Sequence, residues 1–509
     1  MVTVPHAVSE KAPPAIFVSL RQELLLFIGI SGLVLIPCFW HHHIEAGDLG
    51  SHVYNAWLAQ LIAQGKAPGL YIVTQCNNVL FDLLLLNFAK IFGLGVAEKL
   101  AVSLCALVFF WGVFALMKAA SSQSPWFLAP CVAMLTYGQV FHLGFLNYYL
   151  SVGLGCIGLS LLWAGRRNGW IAAALLAPVI LLAHPLGFVF FLGVAGYRLL
   201  WRGFPRWNWV LPVAALAVCY AGRLYVSHRP DYEVQWRETP LWQLTGADQF
   251  HVFGEHYVYF SYAISLLAVV STVLAVLLAS KRAQFWKERR LALELYLVSF
   301  GAMALLPENV HTDPTGGWIG EITTRLTLII AIFGLCWLAS LPPEHWHLFA
   351  YAAIALIFFT FVYRDTAFLN RMEANAEEVT RPLSFGTRVL ATVHVPADYA
   401  VPFVHIVDRA CIGHCFLFSN YEASTKQFRI RVQQGSPVVT ASVDDSDDMQ
   451  SGLYDVQEED LPLKQVYQCD GRDLTLICIR DLAADEKNGR IGYNPLLNQP
   501  SPQAGTSNQ

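Results

Sequence analysis

The apolar run "LLLFIGISGLVLIPCFW" (24–40) leads directly into "HHHIEAGDLGSHVYNAWLAQLIAQGKAPG" (41–69). The run has almost the length of a membrane crossing, since a spanning helix needs about 20 mostly apolar residues. The second stretch begins with histidines and acids and then takes on the period of a helix. This order predicts a membrane span followed by a helix held just outside the membrane.

Composition places the whole chain in the same class. Of its 509 residues, 55% are hydrophobic and only 14% are charged, whereas soluble domains carry about 25% charged residues. The chain is therefore predicted to be a polytopic membrane protein. Its formal net charge of −4 is small, which argues against a nucleic-acid partner.

Apolar runs predict an all-α membrane bundle of about eleven transmembrane helices. Near His184-Pro185 the pattern allows two short spans or one kinked helix, because proline interrupts a helix. The predicted crossings are 24–40, 97–117, 126–143, 147–164, 170–184, 186–201, 208–226, 257–280, 291–306, 322–340 and 347–363.

Basic residues orient this bundle. The positive-inside rule requires basic residues on the cytoplasmic side of the membrane. If the segment 78–95 does not cross, three groups of basic residues all fall on that side: Lys118, the Arg166-Arg167 pair and the cluster "KRAQFWKERR" (281–290). That segment contains Asp82 and Lys90. We therefore interpret it as a helix lying in the outer membrane interface.

The same count divides the chain into regions. We expect a cytoplasmic N-terminus (1–23) without signal cleavage, a transmembrane domain (24–363), an external C-terminal α+β domain (364–492) and a disordered tail (493–509). The first external loop (41–96) should hold two juxtamembrane helices. Cysteines in the external domain can be disulfide-bonded or buried thiols, and three pairings of Cys411, Cys415, Cys469 and Cys478 are possible.

The first loop carries a candidate catalytic acid. Asp48 and Ser51 stand where helix N-caps belong, and Gly65 and Pro68 end the predicted helix. Tyr54, with Trp57, Leu58, Leu61 and Ile62, should form its apolar stripe. Asp48 then has two interpretations: it caps the helix, or it accepts a proton from an acceptor hydroxyl beside a lipid phosphate.

A resemblance bears on this choice. An acid just after the first crossing, then "HVYNAWLAQLIAQGKAPG" (52–69) and "NVLFDLLLLNFAKIFGLGVAEKLAVSLCALV" (78–108), resembles the GT-C superfamily of polytopic glycosyltransferases. Its members include protein mannosyltransferases and bacterial aminoarabinose transferases, which use polyprenyl-phosphate-linked sugars. The resemblance implies that Asp48 is the catalytic acid of the loop. Family members often carry two adjacent acids there, whereas this chain has Gly47-Asp48-Leu49.

Other polar residues near the outer ends of spans are candidate substrate contacts. The Arg325 guanidinium suits a phosphate oxygen, and the resemblance also implies such a role for a basic residue in a late helix. Alternatively, the side chain snorkels to the membrane interface or pairs with Glu321. The remaining candidates for the sugar site are His52, Asn147, Tyr148, His184 and, in the loop 306–321, Glu308, His311 and Asp313. Each also has a purely structural interpretation, because polar loops and interfacial tyrosines are common.

The histidine run raises the question of a metal. If His41, His42 and His43 were helical, they would point about 100° apart and could not converge, although Asp48 and His52 could share an ion. The GT-C transferases that this architecture most resembles need no divalent metal. The sequence therefore favours no metal and no other cofactor, with a divalent ion as the less favoured alternative.

Together these features predict a glycosyltransferase of a bacterial-type inner membrane. It would move a sugar from a polyprenyl-phosphate donor to an acceptor hydroxyl on a lipid, glycan or protein at the external face. Membrane lipids are the other expected partners. The alternative is a non-catalytic membrane protein: a transporter, a flippase or an inactive GT-C relative in cell-envelope assembly. Ionisable residues collect at outer span ends rather than in mid-membrane, which favours surface chemistry over a translocation path.

Overall fold

The structure is a computed structural model that describes residues 20–121, 124–279, 282–312, 317–396, 399–401 and 405–489. It is mostly helical. The α-helices are α1 (Leu20–Phe39), α2 (Leu49–Ala63), α3 (Leu80–Phe92), α4 (Leu94–Ser121), α5 (Ala129–Thr136), α6 (Gln139–His142), α7 (Leu146–Trp163), α8 (Arg167–Ala183), α9 (Pro185–Gly203), α10 (Leu211–Ser227), α11 (Val258–Leu278), α12 (Arg282–Leu305), α13 (Ile322–Ser340), α14 (His345–Thr380), α15 (Ile406–Ala410), α16 (Tyr421–Ser424) and α17 (Val443–Ser451).

Nine strands complete the described part. They are β1 (Leu70–Ile72), β2 (Tyr232–Gln235), β3 (Asn309–Thr312), β4 (Gly317–Ile319), β5 (Thr387–Thr392), β6 (Cys415–Leu417), β7 (Ile430–Val432), β8 (Lys464–Gln468) and β9 (Ile477–Asp481). The largest sheet has the order β6-β5-β8-β9, with β5 parallel to β6 and β8 and β9 antiparallel to β8.

Five described helices are long and apolar enough to cross a membrane: Leu94–Ser121, Leu146–Trp163, Glu255–Leu278, Ile322–Ser340 and Trp346–Thr380. Shorter apolar helices lie at Leu24–Phe39, Arg167–Ala183 and Leu211–Ser227. The prediction of a helical membrane protein is thus supported, while the larger number of crossings stays a prediction.

The segment predicted to cross at 126–143 is not one helix. It consists of a 3-10 turn (Trp126–Leu128), α5 and the short α6. The chain leaves the helix at Tyr137, and a Cβ at Gly138 would lie 2.8 Å from the Gln249 carbonyl oxygen. This close approach from a distant segment explains why the apolar pattern alone missed the break.

His184 separates two helices rather than bending one. Its backbone is extended, at φ −163° and ψ 135°, and Pro185 begins α9. The imidazole Nδ1 accepts a hydrogen bond from the Leu186 backbone at 3.1 Å, so His184 caps α9. The interpretation as two helices is therefore the correct one of the two.

The first loop contains the two predicted helices, α2 and α3. Helix α3 buries Phe81, Leu85 and Ala89, which share one face. Strand β1 of this loop pairs antiparallel with β7, so that Leu70 lies opposite Val432. The C-terminal region therefore packs directly on the first loop.

The boundary predicted at residue 364 falls inside a continuous helix, because α14 extends from His345 to Thr380. After this helix comes the four-stranded sheet with the small helices α15 to α17. Cys411 is bonded to Cys415 and Cys469 to Cys478, which selects one of the three pairings. Strands β2, β3 and β4 form a separate sheet that joins the segment after α10 to the loop 306–321.

Candidate functional site

The backbone of Asp48 is fixed by the turn between α6 and α7. Gly47 N–H donates to the His142 carbonyl at 2.6 Å, and Asp48 N–H donates to the Leu143 carbonyl at 3.1 Å. Gly144 has φ +84°, and a Cβ there would lie 2.3 Å from the Asp48 nitrogen. Gly144 thus permits both the left-handed turn and the close approach that places Asp48.

The carboxylate of Asp48 does not cap α2. Asp48 occupies the N-cap position, but its side chain makes no cap hydrogen bond. The side chain is 30% exposed, and its Oδ1 lies 4.0 Å from Nε2 of His405. Burial raises the pKa of this carboxyl above its usual value, while His405, His52 and Arg325 act in the opposite direction. An acid in this state can accept a proton.

His405 belongs to the C-terminal region, and sequence reasoning did not identify it. Its Nδ1 lies 3.3 Å from Asp408 Oδ2, so its other ring nitrogen faces Asp48. The ring also stacks on Tyr421 with 5.2 Å between centroids. Burial disfavours the charged imidazole, but Asp408 and Asp48 more than offset this and raise the pKa of His405. The two acids therefore favour the protonated form of His405 beside Asp48.

His52 is held by α3 and α7. Its Nδ1 lies 2.7 Å from Asp82 Oδ1, and Asn147 donates to Asp82 Oδ2 at 2.8 Å. Burial alone would lower the pKa of His52, but the Asp82 carboxylate outweighs burial and raises it to about 9. The structure brings the predicted residues His52 and Asn147 together through Asp82, which had been noted only as interrupting an apolar run.

A small cleft of ≈ 40 Å³ with both polar and apolar walls borders this group. His52 and Asp82 line it together with Glu422 and Arg429 of the C-terminal region. Glu422 also accepts a hydrogen bond from the Ser51 hydroxyl at 2.8 Å. The polar side of α2 was expected to lie away from the apolar stripe; it faces the C-terminal region rather than open water.

Arg325 lies on α13 beside α7. Its guanidinium carbon lies 4.2 Å from the Phe145 ring centroid, and one Nη donates to the Gly320 carbonyl. Its Nε is buried and has no hydrogen-bond acceptor among the described residues. Glu321 accepts from the Thr324 hydroxyl at 2.8 Å and is also within electrostatic range of Arg325, so that the predicted alternative of an Arg325–Glu321 pair stays open.

Tyr148 and His184 complete this side of the site. The Tyr148 hydroxyl donates to the Arg325 carbonyl at 2.7 Å. The rings of Tyr148 and His184 meet edge to face at 5.4 Å between centroids. Because Arg325 is within electrostatic range of Asp48, these predicted residues belong to the same neighbourhood as the acid.

The loop at 306–321 approaches the site at Glu308, which is within electrostatic range of Arg325. Glu308 joins the small sheet, since its N–H donates to the Gln235 carbonyl and its own carbonyl accepts from Ile322 N–H, both at 3.0 Å. His311 is exposed on β3, opposite Glu233. Neither side chain contacts Asp48 in the part of the chain that the structure describes, and Asp313 lies outside that part.

A second buried charge cluster lies next to the site. Arg409 pairs with Glu373 of α14 and lies 3.3 Å from Glu98 of α4. It also donates to the Ile44 carbonyl at 2.8 Å. Glu98 falls inside a predicted span, where an ionisable residue indicates a buried partner. That signal could have revealed the cluster.

An apolar cavity of ≈ 330 Å³ lies between α11, α12 and α13. Its wall on α13 includes Ala331, Gly334 and Leu335. At about 100° per residue, Gly334 lies roughly 180° around the helix from Arg325. The cavity and the arginine therefore occupy opposite faces of α13 and do not form one binding site.

Comparisons with known proteins identify no relative. No family model, curated protein or solved structure matches the chain.

Proposed function

We propose that this protein is a membrane glycosyltransferase of the GT-C type, which transfers a sugar from a polyprenyl-phosphate donor to an acceptor hydroxyl at the external face. One observation carries the proposal. An acid that does not cap its helix, and whose ion-pair partner His405 lies 4.0 Å away, is within electrostatic range of an arginine whose Nε has no hydrogen-bond acceptor among the described residues.

The Asp48 carboxylate suits the acceptor side of a displacement at the sugar, and the Arg325 guanidinium suits the leaving-group side. The acceptor oxygen forms a bond to the anomeric carbon of the donor sugar while its proton passes to the Asp48 carboxylate. The bond between that carbon and the phosphate oxygen breaks, and polyprenyl phosphate leaves with the electron pair. The guanidinium of Arg325 stabilises the negative charge on this leaving group through its free Nε–H.

The surrounding residues support these roles. The His405 and His52 side chains and Arg325 counter the effect of burial on Asp48, so that the acid keeps ionised form available. Tyr148 holds the backbone of Arg325. His184 supplies a further polar group beside Tyr148, where the sugar hydroxyls would lie, while the buried Asn147 amide orients Asp82.

Arg325→Gln tests the phosphate role. We expect membranes with this variant to lose sugar transfer from radiolabelled polyprenyl-phosphate donors by about 10²-fold or more, because a charge-assisted contact made in the transition state is lost. Asp231→Asn, on an exposed loop, is the control and should transfer like the wild type.

Two results would count against the proposal. Equal transfer by Arg325→Gln and the control would remove this residue from the mechanism. Failure of the wild type to transfer sugar from any donor would favour the non-catalytic alternatives, a transporter, a flippase or an inactive relative.

A further inference from the structure

The histidine run after α1 is not helical, and two of its members converge. His42 and His43 lie in a bend, with their rings 4.4 Å apart and nearly perpendicular. Ligand atoms of His42, His43 and Glu377 all lie within 4.8 Å of one another. His41 points elsewhere, with its Nε2 2.9 Å from the Tyr363 carbonyl.

A further carboxylate, Glu373, lies beside His43 but outside the group whose ligand atoms lie within 4.8 Å of one another. His43 Nε2 also hydrogen-bonds Glu377 Oε1 at 2.9 Å, so that a bound cation would take the place of this contact. Glu373 is 2% exposed, and its Oε2 lies 3.7 Å from Nε2 of His43. This oxygen has no hydrogen-bond partner among the described residues, whereas Oε1 of the same carboxylate pairs with Arg409. A buried carboxylate oxygen without a partner is costly, and a cation at this point would satisfy it.

The backbone around the histidines is held in place. The Asn370 side chain accepts a hydrogen bond from His43 N–H at 2.9 Å and donates to the His43 carbonyl at 3.2 Å. It also donates to Glu45 at 2.5 Å. A ligand set fixed by such outer contacts needs little rearrangement to bind.

We propose that a divalent transition-metal ion, with Zn²⁺ the best fit, binds between His42, His43 and Glu377, with the fourth position open to water or to the neighbouring Glu373. Imidazole and carboxylate donors in four-coordinate geometry suit Zn²⁺. The ion joins the first loop to α14. Since Asp48 follows His43 by five residues in that loop, the metal helps to fix the backbone that carries the candidate acid.

The test measures zinc bound by protein purified without a polyhistidine tag, stripped with chelator and dialysed against buffered Zn²⁺. We expect about one zinc per chain for the wild type and for His41→Ala, the adjacent control. His42→Ala and Glu377→Gln should weaken binding at least about tenfold. Excess Mg²⁺ should not displace the zinc, because Mg²⁺ prefers oxygen ligands in octahedral geometry.

Folding of each variant is checked by its elution as a single species in detergent. His42 is exposed and Glu377 is half-buried, so that neither replacement opens a core cavity. Zinc should also raise the apparent melting temperature of the wild type and of His41→Ala, but not of the two site variants. No zinc on the folded wild type, or equal affinity in His42→Ala, Glu377→Gln and His41→Ala, would overturn the proposal.

Discussion

Asp48 stands at the start of α2, yet its carboxylate makes no hydrogen bond to the helix. Ser442 shows the contrast, because its hydroxyl accepts from Asp445 N–H at 3.1 Å and caps α17. Such a cap contributes about 1 kcal/mol. Asp48 occupies the position without this contact, which leaves the carboxylate available for a substrate proton.

The His52–Asp82 pair makes stability depend on pH. Asp82 outweighs burial and raises the pKa of His52 from 6.5 to about 9. The folded protein therefore keeps a proton that the unfolded chain releases, so the stabilisation is complete below pH 6.5 and disappears as the pH rises through about 9. We expect the free energy of unfolding to fall by about 2–3 kcal/mol over this range.

Denaturation of the detergent-solubilised protein at both ends of this pH range measures the effect. Burial also raises the pKa of Glu45 and of Glu373 to about 8, so these acids add to the decrease in every variant. His52→Gln should remove the part of the decrease that comes from His52, whereas His228→Gln, at an exposed position, should retain the full decrease. The same pH dependence in both variants would show that the pair does not hold this proton.

At the scale of elements, the turn between α6 and α7 positions the acid. Gly144 and Gly93 both have positive φ, +84° and +81°, but only at Gly144 would a Cβ clash, at 2.3 Å from the Asp48 nitrogen. Replacement by alanine should cost about 1–3 kcal/mol from backbone strain at either site, and Gly93, with ψ 164°, lies in a region open almost only to glycine. At Gly144 the clash should add at least about 1 kcal/mol to the cost of strain.

The two variants are compared by unfolding and by sugar transfer. Only Gly144→Ala should reduce transfer, because only that substitution moves Asp48. If Gly93→Ala reduced transfer equally, the turn would not be what positions the acid.

The elements that sequence predicted best are those with strong local patterns. Helices α2 and α3 are present as expected, since their apolar periodicity and terminal Gly and Pro residues are local signals. The break at Tyr137-Gly138 was missed because the apolar run continues through it, and the Gln249 carbonyl that packs against Gly138 lies more than a hundred residues away. The neighbour of His52 in the C-terminal region, Glu422, could not be predicted for the same reason.

At the scale of the whole molecule, the C-terminal region completes the site. His405, Asp408 and Glu422 approach α2 from a region whose sequence indicated only a mixed α+β fold. Pairing between segments separated by hundreds of residues has no local signature. Sequence therefore placed Asp48, His52 and Arg325 in the site but could not supply these partners.

The pairing of β1 with β7 can be tested by cross-linking. Tyr71 lies opposite Arg431 in this antiparallel ladder, where Cα atoms are about 4.5–5.5 Å apart and suit a disulfide. Tyr71→Cys with Arg431→Cys should cross-link on mild oxidation, as detected by mass spectrometry of the linked peptides. Tyr71→Cys with Gln433→Cys, two residues out of register, should cross-link much less; equal yields would contradict the pairing.

The central claim is that Asp48 accepts the proton of the acceptor hydroxyl. Single-turnover transfer from a pre-bound radiolabelled polyprenyl-phosphate sugar, with wild type and Asp48→Asn in matched amounts, tests it most directly. We predict that Asp48→Asn binds the donor but transfers its sugar about 10²–10⁴-fold more slowly. Transfer by Asp48→Asn at the wild-type rate would contradict the claim and remove Asp48 from the chemistry.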